Sequence, residues 1–501
     1  MRRQDYRATL ILMAGFLAAT ATGFLREAAL AYELGAGRAT DIYLVAFALP
    51  EFFFLALPIV LSPAFLPLFA GLRLARGEAV AWRFAWRVAA GLLAFLVGAA
   101  LLLGLAAPLL LRWLGSGFDI QARAEAARAL YRMLPAVVLM GEATLAGAVL
   151  QVYRRFARPA LATAVYNVAF VAVLLGAPLA WAAGRAAWGV TAGATVAFLL
   201  QMSLVWRYRP AGDGADEAGV EQGGREATVT DVLRLAGPLA AGYAAHHLIL
   251  FVDRAMATTL QAGAVATLNY GYRLALVVGQ LSGLAVSTAL FPTMAEQAAA
   301  GDRPGLRASL ASALRFVLLV GLPSAGLLVV LRVPVVRLLF ERGAFDPAAT
   351  AAVSQVVVWY TLAVLADALC QPLWRLLYAR QRAWMVLGIN SLQTGIRILG
   401  NFALIGALGY NGLALSAVLG LSVQLLTLGM VARHHLGAFL DPVWWRGALK
   451  IAAVAALSVS VAGLVAAQLV ALPSLGIVLV AGGLGGLSYI LILWLWEKRL
   501  S

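Results

Sequence analysis

Apolar residues fall in long runs along nearly the whole chain, separated by short polar segments rich in arginine and glycine. A helix needs roughly 20 apolar residues to cross a ~30 Å hydrocarbon core. A helix packed inside a soluble protein is shorter and keeps one polar face. Fourteen runs of the longer kind are read, at roughly 8–32, 42–70, 84–111, 127–150, 159–183, 187–207, 232–257, 264–292, 312–333, 351–376, 384–406, 410–433, 447–470 and 474–496. The pattern predicts an all-α polytopic membrane protein with about 14 transmembrane helices and no soluble domain of any size. The first run is not read as a cleaved signal, because no small-residue cleavage site follows it and Arg26-Glu27 interrupts its far end.

The polar segments orient these helices. Arg2, Arg3 and Arg7 sit at the N-terminus, and alternate loops then carry Arg73 and Arg76; Arg154, Arg155 and Arg158; Arg207, Arg209 and Arg225; Arg303 and Arg307; Arg380 and Arg382; and Arg433 and Arg446. Lys498 and Arg499 close the chain. The opposite loops are poorer, with Arg38, Arg112, Arg123, Arg185, Arg332, Arg337 and Arg342 as exceptions. The positive-inside rule places both termini in the cytoplasm, which an even number of spans satisfies.

Composition agrees: 63% of the 501 residues are hydrophobic and 12% charged, against about 45–50% and 25% in soluble domains. The net charge of +15 is supplied almost wholly by arginine, since Lys450 and Lys498 are the only lysines. These arginines sit in short loops, so topology accounts for most of them and nucleic acid is not an expected partner. Cys370 is the sole cysteine, which excludes a disulfide framework within the chain. The histidines fall as His246-His247 and His434-His435, without metal-ligand spacing. There is no Walker A motif and no Ser-His-Asp arrangement. No metal, cofactor or catalytic residue is expected, and the chain is not read as an enzyme.

Residues 210–230 are polar, Gly-rich and acidic, and read as a flexible linker. They divide the chain into an N-lobe of six spans (1–210), a cytoplasmic linker (211–230), a C-lobe of six spans (231–435) and a final pair with the C-terminus (436–501). A short internal repeat supports the division. Ala39-Thr40-Asp41-Ile42-Tyr43 opens the second span and Ala266-Thr267-Leu268-Asn269-Tyr270 the eighth, while Ser62–Pro67 near the end of the second resembles Ser287–Pro292 near the end of the eighth. Two six-helix lobes of the same orientation are the arrangement of transporters built from parallel repeats.

Charge inside the spans marks the candidate site. An ionised side chain near the bilayer centre costs about 3 kcal/mol even on permissive scales, so each needs a partner or a wet cavity. Arg26, Glu27, Asp41, Glu51, Glu142, Asp253, Arg254, Arg273, Asp367, Arg375 and Arg397 lie in or near spans. Arg26 and Glu27 could equally be a helix end reaching for the interface. Arg273 lies more than two turns into its span with Asn269 one turn before it, which favours a functional cavity. Arg397 needs an anion, for which Asp253 and Asp367 are available; an Asp253–Arg397 pairing or ion coupling through Asp253, Asp367 or Glu142 is expected. The planar fork of arginine donates two parallel hydrogen bonds to phosphate oxygens, so a cavity rich in arginine points to a phosphorylated substrate.

At these residues the sequence resembles the MurJ (MviN) lipid II flippases of the multidrug/oligosaccharidyl-lipid/polysaccharide exporter superfamily. The resemblance rests on Gly23–Glu27, Leu34–Gly37 with Ala39–Asp41, Ala46–Pro50, Ala64–Pro67, Val252–Arg254, Leu268–Leu274 and, most specific, Leu339–Asp346. It implies two rocking lobes around a cationic cavity, exposed alternately to the two faces of the bacterial inner membrane, with the undecaprenyl tail against the last two spans. By motif position Arg26 and Arg273 match the family's cavity arginines and Asp41 its conserved acidic residue; Arg254, Glu27 and Asn269, charged or polar within spans, join them as candidate cavity residues. The cargo implied is the lipid-linked peptidoglycan precursor of cell-wall biogenesis, carried by a monomer among membrane lipids. The energy source stays open between the membrane potential acting on buried arginines and a proton or monovalent cation as coupling ion. Two departures are visible. Ala19 and Thr20 stand where the family usually has Ser-Arg, and Glu51-Phe52-Phe53-Phe54-Leu55 stands where it usually has Asn followed by arginine. Two charge-assisted contacts, each worth about 1.5–3 kcal/mol, are missing and Glu51 adds an anion. The alternatives are another polyprenyl-diphosphate glycan as cargo and, further off, a multidrug or cation antiporter.

Overall fold

The computed structural model describes residues 3–155, 157–177, 181–210, 228–284, 293–294, 296–297, 299–379 and 383–498. Every regular element among them is helical. In chain order these are α1 (Arg3–Leu34), a 77-residue element Arg38–Leu114 that turns at Gly77 and is treated as α2 (38–76) and α3 (78–114), α4 (Ile120–Val152), α5 (Ala157–Gly176), α6 (Ala182–Trp206) and α7 (Val229–Ala257). Then follow α8 (Ala264–Gly279, continued by a π turn Gln280–Leu284), α9 (Arg303–Val330), the short α10 (Arg332–Phe340), α11 (Pro347–Ala379), α12 (Ala383–Leu408), α13 (Tyr410–Leu436), α14 (Pro442–Gln468) and α15 (Ser474–Lys498). Leaving out α10, fourteen long helices match the fourteen apolar runs.

Ten elements among the described residues are long and apolar enough to cross a bilayer, with Arg38–Leu114 counted once. That element would be about 115 Å long if straight, far beyond a bilayer, so it must serve as two passes. It folds back at Gly77, whose φ is 82° and ψ 173°. The two arms then pack on each other through Phe65 on Phe84 (centroids 5.8 Å, stacked) and Phe69 on Trp82 (6.4 Å, edge-on), and Arg73 pairs with Glu78 across the bend at 3.0 Å. Sequence reading placed a loop at 71–83; helical backbone continues through it on either side of the one glycine.

Lipid removes the hydrophobic drive between helices, so close packing of small side chains must supply association. α6 shows this: Ala183, Ala186, Ala187, Val190, Ala194 and Ala197 are buried at i, i+3, i+4 spacing along one face. The chain separates into two compact units, Met1–Gly263 and Ala264–Ser501. In the first, α7 packs along α2. The repeat segments open their helices alike: Tyr43 in α2 and Tyr270 in α8 are both fully buried. Residues 287–292 of the repeat and the linker 211–227 lie outside the described residues.

In the second unit, Tyr270 is packed by Phe340 (5.0 Å) and Phe345 (5.6 Å). The Leu339–Asp346 segment is therefore the seat of α8: its phenylalanines hold Tyr270, Glu341 accepts from Thr350 Oγ1 at 2.7 Å, and Asp346 caps α11 by accepting from Ala349 N at 2.7 Å.

Candidate functional site

Two ion pairs of the first unit lie within its helices, on α1 and between α2 and α7. Arg26 and Glu27 sit on the last turns of α1. Arg26 Nη2 donates to Glu27 Oε1 at 2.8 Å, with side chains 15% and 6% exposed. The guanidinium also lies 5.8 Å from the ring of Phe170 on α5. Its Nε is buried and makes no hydrogen bond among the described residues. Sequence alone left open whether this pair reaches for the interface; its burial decides for the interior.

A chain of rings leads from Arg26 along α2. Phe170 meets Tyr43 (6.3 Å), Tyr43 stacks on Phe47 (5.6 Å), Phe47 meets Phe54 (5.8 Å) and Phe54 meets Tyr166 (6.2 Å). Tyr43, Phe47 and Phe54 recur at helical spacing on one face of α2, so one stripe carries the row. Phe54 fills this row between Phe47 and Tyr166. Thr20 lies half-buried two residues before Thr22, whose Oγ1 accepts from Asn167 Nδ2 of α5 at 3.2 Å.

The second group was not anticipated as a pair. Arg254 Nη2 of α7 donates to Glu51 Oε2 of α2 at 2.6 Å, and both side chains are 9% exposed. The next residue on α2, Phe52, packs on three rings of α7, Tyr243 (5.7 Å), His247 (6.0 Å) and Phe251 (6.1 Å), and Tyr243 Oη lies 3.0 Å from His247 Nε2. Two unlike charges in spans were the visible signal, but nothing in the sequence chose Arg254 rather than Arg26 for Glu51. Arg254 Nη1 is buried without a hydrogen bond among the described residues. Both Glu51 and Tyr166 lie within electrostatic reach of one another, and Tyr166 also within reach of Arg26, so the two groups belong to one polar row.

Asp41 lies elsewhere, 3% exposed at the start of α2. Its Oδ2 accepts from Gly263 N at 2.6 Å, so this candidate fastens the α1–α2 turn to the α7–α8 turn. Gly117 N donates to Thr258 Oγ1 (3.2 Å) and Ser116 Oγ to Ala255 O (3.2 Å), adding the α3–α4 turn to the same clasp. Arg38 bridges to Asp119 at 2.8 Å, and Asp119 caps α4 by accepting from Ala122 N at 2.6 Å. The backbone N–H of Ala122, then Arg38, hold the Asp119 carboxyl below its ordinary value of 3.8. A depressed folded value stabilises above the ordinary value and is lost as pH falls through the lower one. The difference in melting temperature between the native protein and Asp119→Asn should therefore be constant from neutral pH down to about 4 and shrink below it; a constant difference in acid would refute the bridge.

Asp253 is buried on α7, next to Arg254. In the second unit, Asn269 and Arg273 are half-buried one turn apart on α8, as their spacing required. Asp367 on α11 is half-buried and accepts a long hydrogen bond from Gln371 Nε2 at 3.4 Å. Arg397 on α12 is half-buried. No group of three or more metal-ligating side chains occurs among the described residues.

Comparison with known proteins gives this row a context. The family model described as "Lipid II flippase MurJ" matches residues 30–480. The lipid II flippase MurJ of Burkholderia cenocepacia is 28% identical over 443 residues, covering 85% of this chain and 84% of that protein. The probable lipid II flippase MurJ of Rhizobium meliloti is 28% identical over 435 residues, 83% of this chain and 78% of that one. A solved structure of a lipid II flippase MurJ in an inward closed conformation superposes with a TM-score of 0.81 over 98% of this chain and 99% of that one, at 18% identity. An inward-facing multidrug transporter of the MATE family superposes at 0.69 over 83% and 94%, at 14% identity, which shows a shared fold.

Proposed function

Because the chain belongs to the lipid II flippase MurJ family, we propose that it carries lipid II, the polyprenyl-diphosphate peptidoglycan precursor, from the inner to the outer leaflet of a bacterial cytoplasmic membrane. It does so as a transporter, by alternating access, with no covalent step. The observation that carries the reading beyond the family is Arg26: a buried guanidinium that spends one nitrogen on Glu27 and keeps Nε unbonded. An uncompensated donor on a spanning helix is costly unless an acceptor arrives, and a diphosphate oxygen is the acceptor that arginine fits best. Arg254, with Nη1 unbonded, is a second donor and stands in for a family arginine that is absent at Thr20 or Phe54. Arg273 and Asn269, one turn apart on α8, are the donors of the second unit; in the first, Glu27, and Asp253 beside Arg254, neutralise or steer the arginines, and Asp41 positions the turn. Asp367 and Arg397 serve ion coupling or helix pairing.

The topology proposed is two six-helix lobes, with α14 and α15 beside the lipid tail and both termini in the cytoplasm, acting as a monomer. The test is complementation of a MurJ-depleted bacterium. The native chain should restore growth, Arg26→Ala should lose at least about tenfold in flipping rate, and Arg26→Lys should fall between them, since a lysine keeps charge but loses the planar fork. Correct insertion without rescue would refute lipid II as cargo and favour another polyprenyl-diphosphate glycan, for which Phe54 and the internally neutralised Glu51 already speak.

A further inference from the structure

Glu142 takes no part in the row of charges just described. It lies on α4 with 8% of its surface exposed. Its Oε1 is buried without a hydrogen bond, and its carboxyl has no hydrogen bond or ion pair among the described residues. It opens into a cleft of about 330 Å³, open mouth included, walled by Trp82 and Trp86 of α3, Val149 of α4, and Met202 and Val205 of α6. We propose that Glu142 is an exchangeable proton site, reached through this cleft.

The walls argue for the proton. An ionised carboxylate in a spanning helix needs a donor or a counter-ion; no cationic residue lines the cleft, and the indole N–H of Trp82 is given to Tyr153 rather than to Glu142. A hard metal cation needs several oxygen ligands, whereas the lining supplies the one carboxyl and otherwise apolar and aromatic atoms. An organic ammonium would want free aromatic faces. The rings here pack on one another, Trp82 on Trp86 at 6.3 Å and Trp86 on Trp206 at 6.0 Å. What remains is a carboxyl that carries its own proton and can release it where water reaches.

The surrounding charges are few. α2 packs beside Glu142 through Leu57, which approaches Gly141. On α3, Arg83 and Arg87 are exposed and do not line the cleft. α6 brings no titratable residue to it. One wall residue, Trp82, leads on to a titratable group: its Nε1 donates to the Tyr153 hydroxyl at 3.0 Å, and the Tyr153 ring lies 4.2 Å from the guanidinium of Arg73, itself paired with Glu78. These form the polar end toward which a proton would leave.

The test uses the whole protein in phosphatidylcholine–phosphatidylglycerol vesicles and dicyclohexylcarbodiimide, which reacts with protonated carboxyls in apolar surroundings. The rate of Glu142 modification, read by peptide mass spectrometry, should rise several-fold from alkaline to acidic pH and be low again in protein returned to alkaline pH before the reagent is added. Labelling that is absent or flat with pH overturns the proposal. Slowing of labelling by tetramethylammonium at fixed pH also overturns it, in favour of an organic-cation site. Infrared difference spectra between alkaline and acidic pH should show a protonated-carboxyl band that Glu142→Gln removes; persistence of that band in the variant refutes the assignment. Neither readout involves the cargo, so a failed complementation leaves this site standing and a null result here leaves the cargo assignment untouched.

Discussion

Glu51→Ala should destabilise the first unit by about 3–5 kcal/mol, and Arg254→Ala by as much, because each leaves a buried charge without its partner. The pair is 2.6 Å apart with both side chains 9% exposed. In a spanning helix the stranded charge cannot turn to water, so the penalty is not screened as it would be on a surface. The exchange Glu51→Arg with Arg254→Glu should recover most of the loss. The apolar pair Glu51→Leu with Arg254→Met should match or exceed the native protein in stability, since well-packed hydrophobic replacements of buried pairs often do. Thermal unfolding in detergent measures all four. The same set separates scaffold from mechanism: if Arg254 also donates to a diphosphate, the apolar pair will be stable and will not transport. A Glu51→Ala protein that melts at the native temperature would show that the pair does not hold the resting state.

The outcome for Glu51 illustrates what a sequence can and cannot convey here. The fourteen passes were legible because each is an apolar run of bilayer length, and Asn269 and Arg273 were legible as neighbours because helical spacing makes them so. Partners across helices were not. Glu51 and Arg254 are separated by 203 positions, and Asp41 and Gly263 by 222; no periodicity links them. Asp41 read as a cavity carboxylate because it is an acid near a span, yet its Oδ2 is committed to a backbone N–H. Leu339–Asp346 read as the most specific match in the chain, and its physical task is to seat Tyr270 and cap α11. The acidic linker reads as the divider of the lobes from composition; packing sets the division at Gly263, with α7 in the first unit, where Val232 joins the core of α2, α3 and α4.

The clasp of turns gives the second large effect. Gly263→Ala should destabilise by about 2–5 kcal/mol, combining left-handed strain with the loss of a buried hydrogen bond. Gly263 has φ +91°, and a Cβ there would stand 2.1 Å from Ala36 O, a backbone atom that cannot rotate away. Relief requires the α7–α8 turn to lift, which takes Gly263 N from Asp41, a carboxylate that is only 3% exposed. Gly117→Ala attacks the same clasp from the α3–α4 turn, where the added atom would stand 1.9 Å from Thr258 O and push away the hydroxyl that Gly117 N uses. Gly37→Ala is the control: it sits in the α1–α2 turn beside the same contacts, but its Cβ would meet no atom within 4 Å. Hydrogen exchange of the 258–263 amides should accelerate in Gly263→Ala and Gly117→Ala and stay native in Gly37→Ala, with melting temperatures in the same order. Because the two damaging changes act on one clasp, their double variant should lose less than the sum of the single losses; strict additivity would mean that the three turns are not fastened together.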